Sequence, residues 1–261
     1  MQIWQAVAIL AAGVGAGTIN TVVGSGSLIT FPTLLALGVP AVPANVSNTI
    51  GLVCGGFSST WAYRRELAGN RDVVARLAPA SLAGAVLGAL LLLLLPDAAF
   101  GVIVPVLIVV ALLLVAGQPF LARRLAAARE QRGGDGQPAG ARLPGPVTTG
   151  AVGLTGVYGG YFGAAQGVVL VGLLGVTLDR PLQHVNAVKN ILATGVNLVA
   201  AAVFLVLAHD RVHWSVVALI AVGSVIGGVI GGRVGRALSP VALRAVVLVV
   251  GVAALVRVLT S

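Results

Sequence analysis

Long apolar runs separated by short polar segments dominate the chain. A run of about 20 apolar residues is the pattern of a membrane-spanning α-helix, because that length crosses a hydrocarbon core of about 30 Å. Eight runs have such a length: residues 3–23, 45–63, 77–95, 98–118, 146–164, 183–207, 214–232 and 240–259. Two further apolar segments, 27–37 and 167–178, are too short to cross and predict re-entrant or half helices.

The amino-acid composition agrees with a protein embedded in lipid. Hydrophobic residues make up 58% of the chain and charged residues only 9%, whereas a soluble domain carries about 25% charged residues. The net charge of +9 comes mostly from arginines at the ends of apolar runs, where they anchor and orient membrane helices. We therefore expect a multi-pass protein of the cell inner membrane, surrounded by the lipid bilayer and without a nucleic-acid partner.

The order of segments occurs twice along the chain. Each half contains a Gly-rich helix, a short apolar piece, an Asn-bearing helix and two plain apolar helices. A shift of 141 residues pairs Gly15 with Gly156, Gly26 with Gly167, Asn45 with Asn186, Ile50 with Ile191 and Tyr63 with Phe204. Internal repeats of this kind are common in secondary transporters.

The predicted fold is an all-α polytopic membrane protein made of two repeat halves. Each half, residues 1–121 and residues 146–261, has four full helices and one short re-entrant or half helix. Residues 122–145, which contain five arginines, predict a flexible cytoplasmic linker between them.

The arginines bear on how the halves are oriented. With inverted halves, thirteen arginines lie on the cytoplasmic side and only Arg211 and Arg257 lie outside, whereas parallel halves give eleven against four. The positive-inside rule therefore favours inverted halves. The short pieces, if they do not cross, favour parallel ones. We expect inverted halves, with both chain ends on the outer side.

Two Gly-rich segments predict broken helices at corresponding places in the halves. Backbone groups left unpaired in a membrane are tolerated only where they line a cavity or are buried in protein, and paired interruptions are a sequence pointer to a transport site. Close helix packing by glycine is the alternative interpretation. The predicted substrate-binding residues in these segments are Gly24, Ser25, Gly26, Gly163, Gln166 and Gly167.

Polar residues open the helix that follows each short piece. Asn45 and Asn48 occupy this position in the first half, and Asn186, Lys189 and Asn190 occupy it in the second. Lys189 is the sole lysine of the chain, and an unpaired charge inside a membrane helix costs at least ~2.5–3.5 kcal/mol. A bound anion would compensate it, whereas snorkelling to the interface is the alternative. We predict that these five residues bind substrate.

Several chemistries have no residues to support them. The seven acidic residues lie at helix ends or in loops, so no carboxylate at the membrane centre is expected to relay protons or bind sodium. Neither a phosphate-binding loop, nor clustered metal ligands, nor a nucleophile beside a base is visible. We expect no catalytic residues, no metal and no cofactor. The alternatives to a transporter are an intramembrane enzyme acting on phosphate-bearing lipid and a non-transporting membrane scaffold.

Three stretches resemble the sulfite exporter TauE/SafE family: FPTLLALGVPAVPANVSNT, VLVGLLGVTLDRPLQHVNAVKN and GSVIGGVIGGRVGRALSPVALRAVV. The resemblance implies a small permease with two related halves that moves sulfite, an organosulfonate or a related organic anion. Export is the expected direction, since a monovalent anion leaving a negative cell interior gains ~2.3 kcal/mol per 100 mV. A homo-oligomer is compatible with these features.

Overall fold

The computed structural model is all-helical throughout the residues that it describes, which are 1–132, 143–178, 180–234, 245, 248–249, 251–253 and 255–256. Ten α-helices occupy the described residues up to 234: α1 Ile3–Val22, α2 Ser27–Ala36, α3 Ala41–Ala62, α4 Arg64–Ala68, α5 Arg71–Leu94, α6 Asp97–Arg132, α7 Pro146–Tyr161, α8 Gln166–Thr177, α9 Leu182–Leu207 and α10 Trp214–Val234. A 3-10 turn, His209–Arg211, joins α9 to α10.

Five of the described helical segments are long and apolar enough to cross a bilayer: Ile3–Val22, Arg71–Leu94, Ala98–Gly117, Leu182–Leu207 and Trp214–Arg233. The two shorter apolar helices, α2 and α8, coincide with the short pieces expected from the sequence. The protein is therefore an all-α, multi-pass membrane protein. The predicted helix 240–259 lies largely outside the described residues.

Helix α3 differs from the other long helices because its first half is polar. It has 22 residues but is not among the apolar spans. Its side chains Asn45, Ser47 and Asn48 are all fully buried. Protein rather than lipid therefore surrounds this part of α3, as expected for polar groups at membrane depth. It begins at Ala41, four residues before the predicted start, after Pro40 in an extended conformation.

Helix α6 also departs from the sequence prediction. It runs without interruption to Arg132, so residues 122–132 are helical where a flexible linker was expected. The alanines and arginines of this stretch are good helix formers. Their helix propensity outweighs the polarity from which a flexible linker was predicted. The remaining predicted linker falls mostly on residues 133–142, outside the described residues. The division into two halves stays a prediction.

Helices α1, α3 and α10 pack side by side and run in the same direction. A Cβ added to Gly17 of α1 would lie 2.2 Å from the carbonyl oxygen of Ser224 in α10, and one added to Gly55 of α3 would meet the same serine. Four residues earlier in each helix, the same relation recurs at Ile220. Such backbone approach requires small residues at the interface.

Helices α5 and α7 form a second closely packed parallel pair. A Cβ on Gly84 of α5 would lie 2.1 Å from the carbonyl oxygen of Gly153 in α7, and one on Gly88 would lie 2.0 Å from that of Val157. The spacing of four residues on both helices fixes their common direction. The contacts of α1 and α3 with α10, and of α5 with α7, thus join helices that lie far apart in the sequence.

The starts of α5, α7 and α9 meet at one end of the bundle. Asn70, before α5, donates its amide to Nδ1 of His184 in α9 at 2.8 Å, and Arg76 of α5 donates to the carbonyl of Pro144, before α7, at 2.6 Å. We call this the arginine-rich end. Its described arginines are Arg64, Arg65, Arg71, Arg76, Arg180 and Arg233.

The starts of α3 and α10 meet at the opposite end. The backbone N–H of His213, before α10, donates to the Ser47 hydroxyl of α3 at 2.9 Å. Arg211 lies at this end, in the turn that leads into α10. Helices α3 and α10 consequently run towards the arginine-rich end, whereas α5, α7 and α9 run away from it.

Four aromatic rings fill the core beside α2. Phe31 of α2 contacts Phe100 of α6 and Phe162, which follows α7, with ring centroids 6.4 and 5.1 Å away and nearly perpendicular planes. Tyr161 lies against Phe100 at 5.8 Å. All four are buried, and the edge-to-face geometry is the one that aromatic pairs prefer.

Candidate functional site

Helices α1 and α7 break off with the same backbone geometry. Gly24 follows α1 with φ +88°, and Gly163 follows α7 with φ +72°, a region that disfavours side chains with a Cβ. The N–H groups of Val23 and Gly24 both donate to Ile19 O, and those of Phe162 and Gly163 both donate to Tyr158 O. A left-handed glycine that ends a helix in this way is a common C-terminal cap.

The two breaks touch each other. The N–H of Gly167, in the first turn of α8, donates to the carbonyl oxygen of Gly24 at 3.0 Å. A Cβ on Gly24 would lie only 2.4 Å from Gly167 Cα. Two segments 143 residues apart (167 − 24) in the chain therefore form one junction, and both positions require the absence of a side chain.

Lys189 of α9 reaches across to the broken end of α1. Its ammonium donates to the carbonyl oxygens of Asn20 at 2.9 Å and Thr21 at 3.3 Å. The last carbonyls of a helix lack intrahelical donors and carry a partial negative charge, so they stabilise a buried cation. The side chain is 1% exposed and does not reach the interface by snorkelling.

Asn45 of α3 caps the last carbonyl at the broken end of α7. Its Nδ2 donates to the carbonyl oxygen of Tyr161, the last residue of α7, at 2.9 Å. Each broken helix is thus capped by a polar side chain from the helix that follows the other break. The cap on α1 is charged, and the cap on α7 is neutral.

A narrow polar cavity lies beside this junction. The space open to the centre of a water molecule is about 20 Å³, which is room for about one water. Its lining consists of glycines and polar side chains with one alanine: Asn20, Gly24, Ser27, Gly56, Ser59, Gly163, Gln166, Gly167, Lys189, Asn190, Ala193, Thr194 and Asn197. Six of the predicted substrate-binding residues are in this set: Gly24, Gly163, Gln166, Gly167, Lys189 and Asn190.

Two amide groups in the cavity lining lack acceptors. Gln166 Nε2 and Asn190 Nδ2 are buried without a hydrogen-bond partner among the described residues, and the two residues are 3% and 4% exposed. Leaving a buried N–H donor unpaired costs about 1–3 kcal/mol. Both groups can donate to an acceptor that enters the cavity beside the Lys189 ammonium.

The other predicted site residues do not line the cavity. The N–H of Gly26 donates to Asn20 Oδ1 at 3.0 Å. Asn48 accepts a hydrogen bond from Thr30 at 2.5 Å and donates to Ser27 at 3.3 Å, so its polar atoms are engaged between α2 and α3. The Ser25 hydroxyl and Asn186 Oδ1 are buried without partners. Their role in binding stays a prediction.

Other lining residues had no distinguishing signal in the sequence. Asn20 comes near the end of a long apolar helix, and Ser59 and Thr194 are hydroxyl residues in helices that contain many small residues. Thr21 Oγ1 and Ser59 Oγ lie 2.6 Å apart, which holds α1 against α3 at the cavity wall.

Comparison with known proteins agrees with the membrane fold. A model of the family "Sulfite exporter TauE/SafE" matches residues 9–258. A curated relative from Sinorhizobium sp, "Probable membrane transporter protein ORF9", is 28% identical over 253 residues, covering 94% of this chain and 89% of the relative. No solved structure matches the chain. The family match spans nearly the whole chain, which therefore belongs to the TauE/SafE family of membrane transporters and is not an enzyme.

Proposed function

We propose that this transporter moves a small anion through the cavity between the two broken helices. The observation that supports the proposal most directly is the set of donors carried by residues that line the cavity: the Lys189 ammonium and the unpartnered amides of Gln166 and Asn190. A site with a cation, spare N–H donors and no described carboxylate in its lining favours an oxyanion. Sulfite, an organosulfonate or a related organic anion is the proposed substrate.

Side chains, more than backbone amides, would hold the anion. The N–H groups of Gln166, Gly167 and Val168 in the first turn of α8 donate to backbone carbonyls, so they are not free to bind an anion. The dipoles of α2 and α8 still contribute, because both helices begin at cavity-lining residues, Ser27 and Gln166, and a helix N-terminus favours negative charge.

Entry of the anion requires the junction to open. With room for about one water, the cavity as it stands is too small for a hydrated oxyanion. The contact between Gly24 and Gly167 is the nearest closure, held by one backbone hydrogen bond. We infer that the broken ends of α1 and α7 separate during transport, in the manner of alternating access around a fixed site.

The two halves are proposed to be inverted repeats in the inner membrane. Three features support this: the shared backbone geometry of the breaks, the opposite directions of α3 and α9, and the exchange of caps between halves. The arginine-rich end would face the cytoplasm by the positive-inside rule. Transport of a monovalent anion outward would then be favoured by ~2.3 kcal/mol per 100 mV of membrane potential.

Anion flux in proteoliposomes carrying Lys189→Met tests the proposal. Methionine keeps most of the side-chain volume but removes the charge and its hydrogen bonds. A charge-assisted hydrogen bond is worth about 1.5–3 kcal/mol, which corresponds to roughly tenfold to a hundredfold in affinity. We expect flux of sulfite and sulfonates to fall by that factor.

Asn48→Ala serves as the matched control, because Asn48 is polar, fully buried and outside the cavity lining. It is expected to lower flux less than Lys189→Met does. A folded Lys189→Met protein with the wild-type rate and half-saturation would refute anion binding by Lys189. Wild-type protein that carries neither sulfite nor sulfonates would refute an anion of this class as the substrate.

A further inference from the structure

The C-terminal ends of α1 and α7 are equivalent in backbone but not in their partners. At α1, Ile19 O accepts two backbone N–H groups, and the next two carbonyls, Asn20 O and Thr21 O, accept the Lys189 ammonium. The partial negative charge of this helix end is thereby neutralised by a full positive charge that belongs to the protein.

At α7 the corresponding carbonyls have no donor. Tyr158 O accepts two backbone N–H groups in the same way as Ile19 O. Within the described part of the chain, no hydrogen bond reaches the next two carbonyls, Gly159 O and Gly160 O. The final carbonyl, Tyr161 O, accepts only the neutral amide of Asn45.

The same Asn45 amide presents an unpaired oxygen. Because its Nδ2 is bound to Tyr161 O, the orientation of the amide is fixed and Oδ1 is left as a pure acceptor. That oxygen is buried without a partner, in a residue that is 1% exposed. Unpaired buried acceptors at the negative end of a helix dipole leave a deficit of positive charge.

The chemistry of these oxygens selects the kind of ion. All of them are neutral carbonyl oxygens, whereas divalent cations such as Ca²⁺ and Mg²⁺ are bound mainly through carboxylates. Unwound backbone carbonyls and half-helix C-termini are known ligands for monovalent ions in transporters built from repeats. Such a site needs no carboxylate, so it can be present where the sequence has no acidic residue.

We propose that a monovalent cation, Na⁺ or K⁺, binds at the C-terminal end of α7 through Gly159 O, Gly160 O and Asn45 Oδ1. It occupies the position that the Lys189 ammonium occupies at α1. The cavity adjoins both helix ends, since Gly24 and Gly163 line it. A bound cation therefore adds positive charge on the side of the cavity that has no lysine.

Thermal unfolding of the purified full-length protein tests this site without any anion flux. The melting temperature is measured in NaCl, KCl or choline chloride at constant ionic strength, because an ion that binds only the folded protein raises it in a saturable way. We expect such a rise with Na⁺ or K⁺ and none with choline, which is too large for the site.

Substitutions at Asn45 assign the effect to this position. Asn45→Ala is expected to abolish the cation response, and Asn45→Asp to move its saturation to lower concentration, because a carboxylate replaces a neutral oxygen. Asn45→Lys supplies a built-in ammonium, as Lys189 does, and should melt at the same temperature in all three salts. Asn197→Ala, in the cavity lining but on α9, is the matched control and should keep the response.

Two results would overturn the proposal. One is a wild-type melting temperature that is the same in sodium, potassium and choline chloride. The other is an undiminished cation response in Asn45→Lys, which remains informative if Asn45→Ala does not fold. Either result leaves the anion proposal standing, since that one depends on flux and on Lys189.

Discussion

Replacing Gly24 by alanine tests the junction between the two broken helices. Gly24 has φ +88°, where an L-residue costs about 1–2 kcal/mol relative to the right-handed conformation. In addition, the new Cβ would lie 2.4 Å from Gly167 Cα and 2.9 Å from Gly167 C. Both are backbone atoms, so no side-chain rotation can relieve the overlap, and the hydrogen bond from Gly167 to Gly24 O must lengthen or break.

Gly38 offers a matched control for the backbone strain alone. Its φ is +85°, and a Cβ there would meet nothing within 4 Å. Gly38→Ala should therefore lower stability by about 1–2 kcal/mol. Gly24→Ala should lower it by about 1–3 kcal/mol more, which is the usual cost of overpacking.

The assay is the melting temperature of both variants in the same detergent, together with anion flux in proteoliposomes. Gly24→Ala is expected to melt well below Gly38→Ala and to lose flux, whereas Gly38→Ala keeps its flux because that glycine is remote from the junction. Equal losses of stability in the two variants would show that the Gly24–Gly167 contact does not hold the breaks together.

Two further predictions concern the core and the orientation. Phe31→Ala removes a ring that packs on Phe100 and Phe162 and should destabilise the fold by about 3–5 kcal/mol. The control Phe57→Ala, at a residue 53% exposed, should change the melting temperature little. Equal effects of the two substitutions would contradict the role of the aromatic cluster. If the halves are inverted, reporters that fluoresce only in the cytoplasm should stay dark when fused at residue 1 or residue 261, and bright fusions at both ends would restore parallel halves.

The sequence alone determined the class of protein and the places where helices break. Apolar runs of about 20 residues indicate membrane-spanning helices, because a helix satisfies the hydrogen bonds of its own backbone in lipid. The short helices α2 and α8 were predictable from length, and the breaks at Gly24 and Gly163 from glycines next to apolar segments. Lys189 stood out because a single lysine inside an apolar helix must find a partner.

Composition was a weaker guide to local boundaries. Helix α6 continues through residues 122–132 because alanine and arginine favour helix wherever glycine is absent. Helix α3 begins at Ala41, four residues before the predicted start, because Pro43 is tolerated in the first turn of a helix. The hydropathy of a segment does not by itself decide where its helix begins or ends.

Only the tertiary structure decided which groups meet. Lys189 caps the carbonyls of Asn20 and Thr21, a partner that lies 169 and 168 residues away and that no pattern within α9 could indicate. Backbone carbonyls are the same in every residue, so the sequence carries no record of which ones a folded helix leaves unpaired. For that reason the neutral oxygens at the end of α7 are recognised as a candidate cation site only from the packing of α3 against the end of α7.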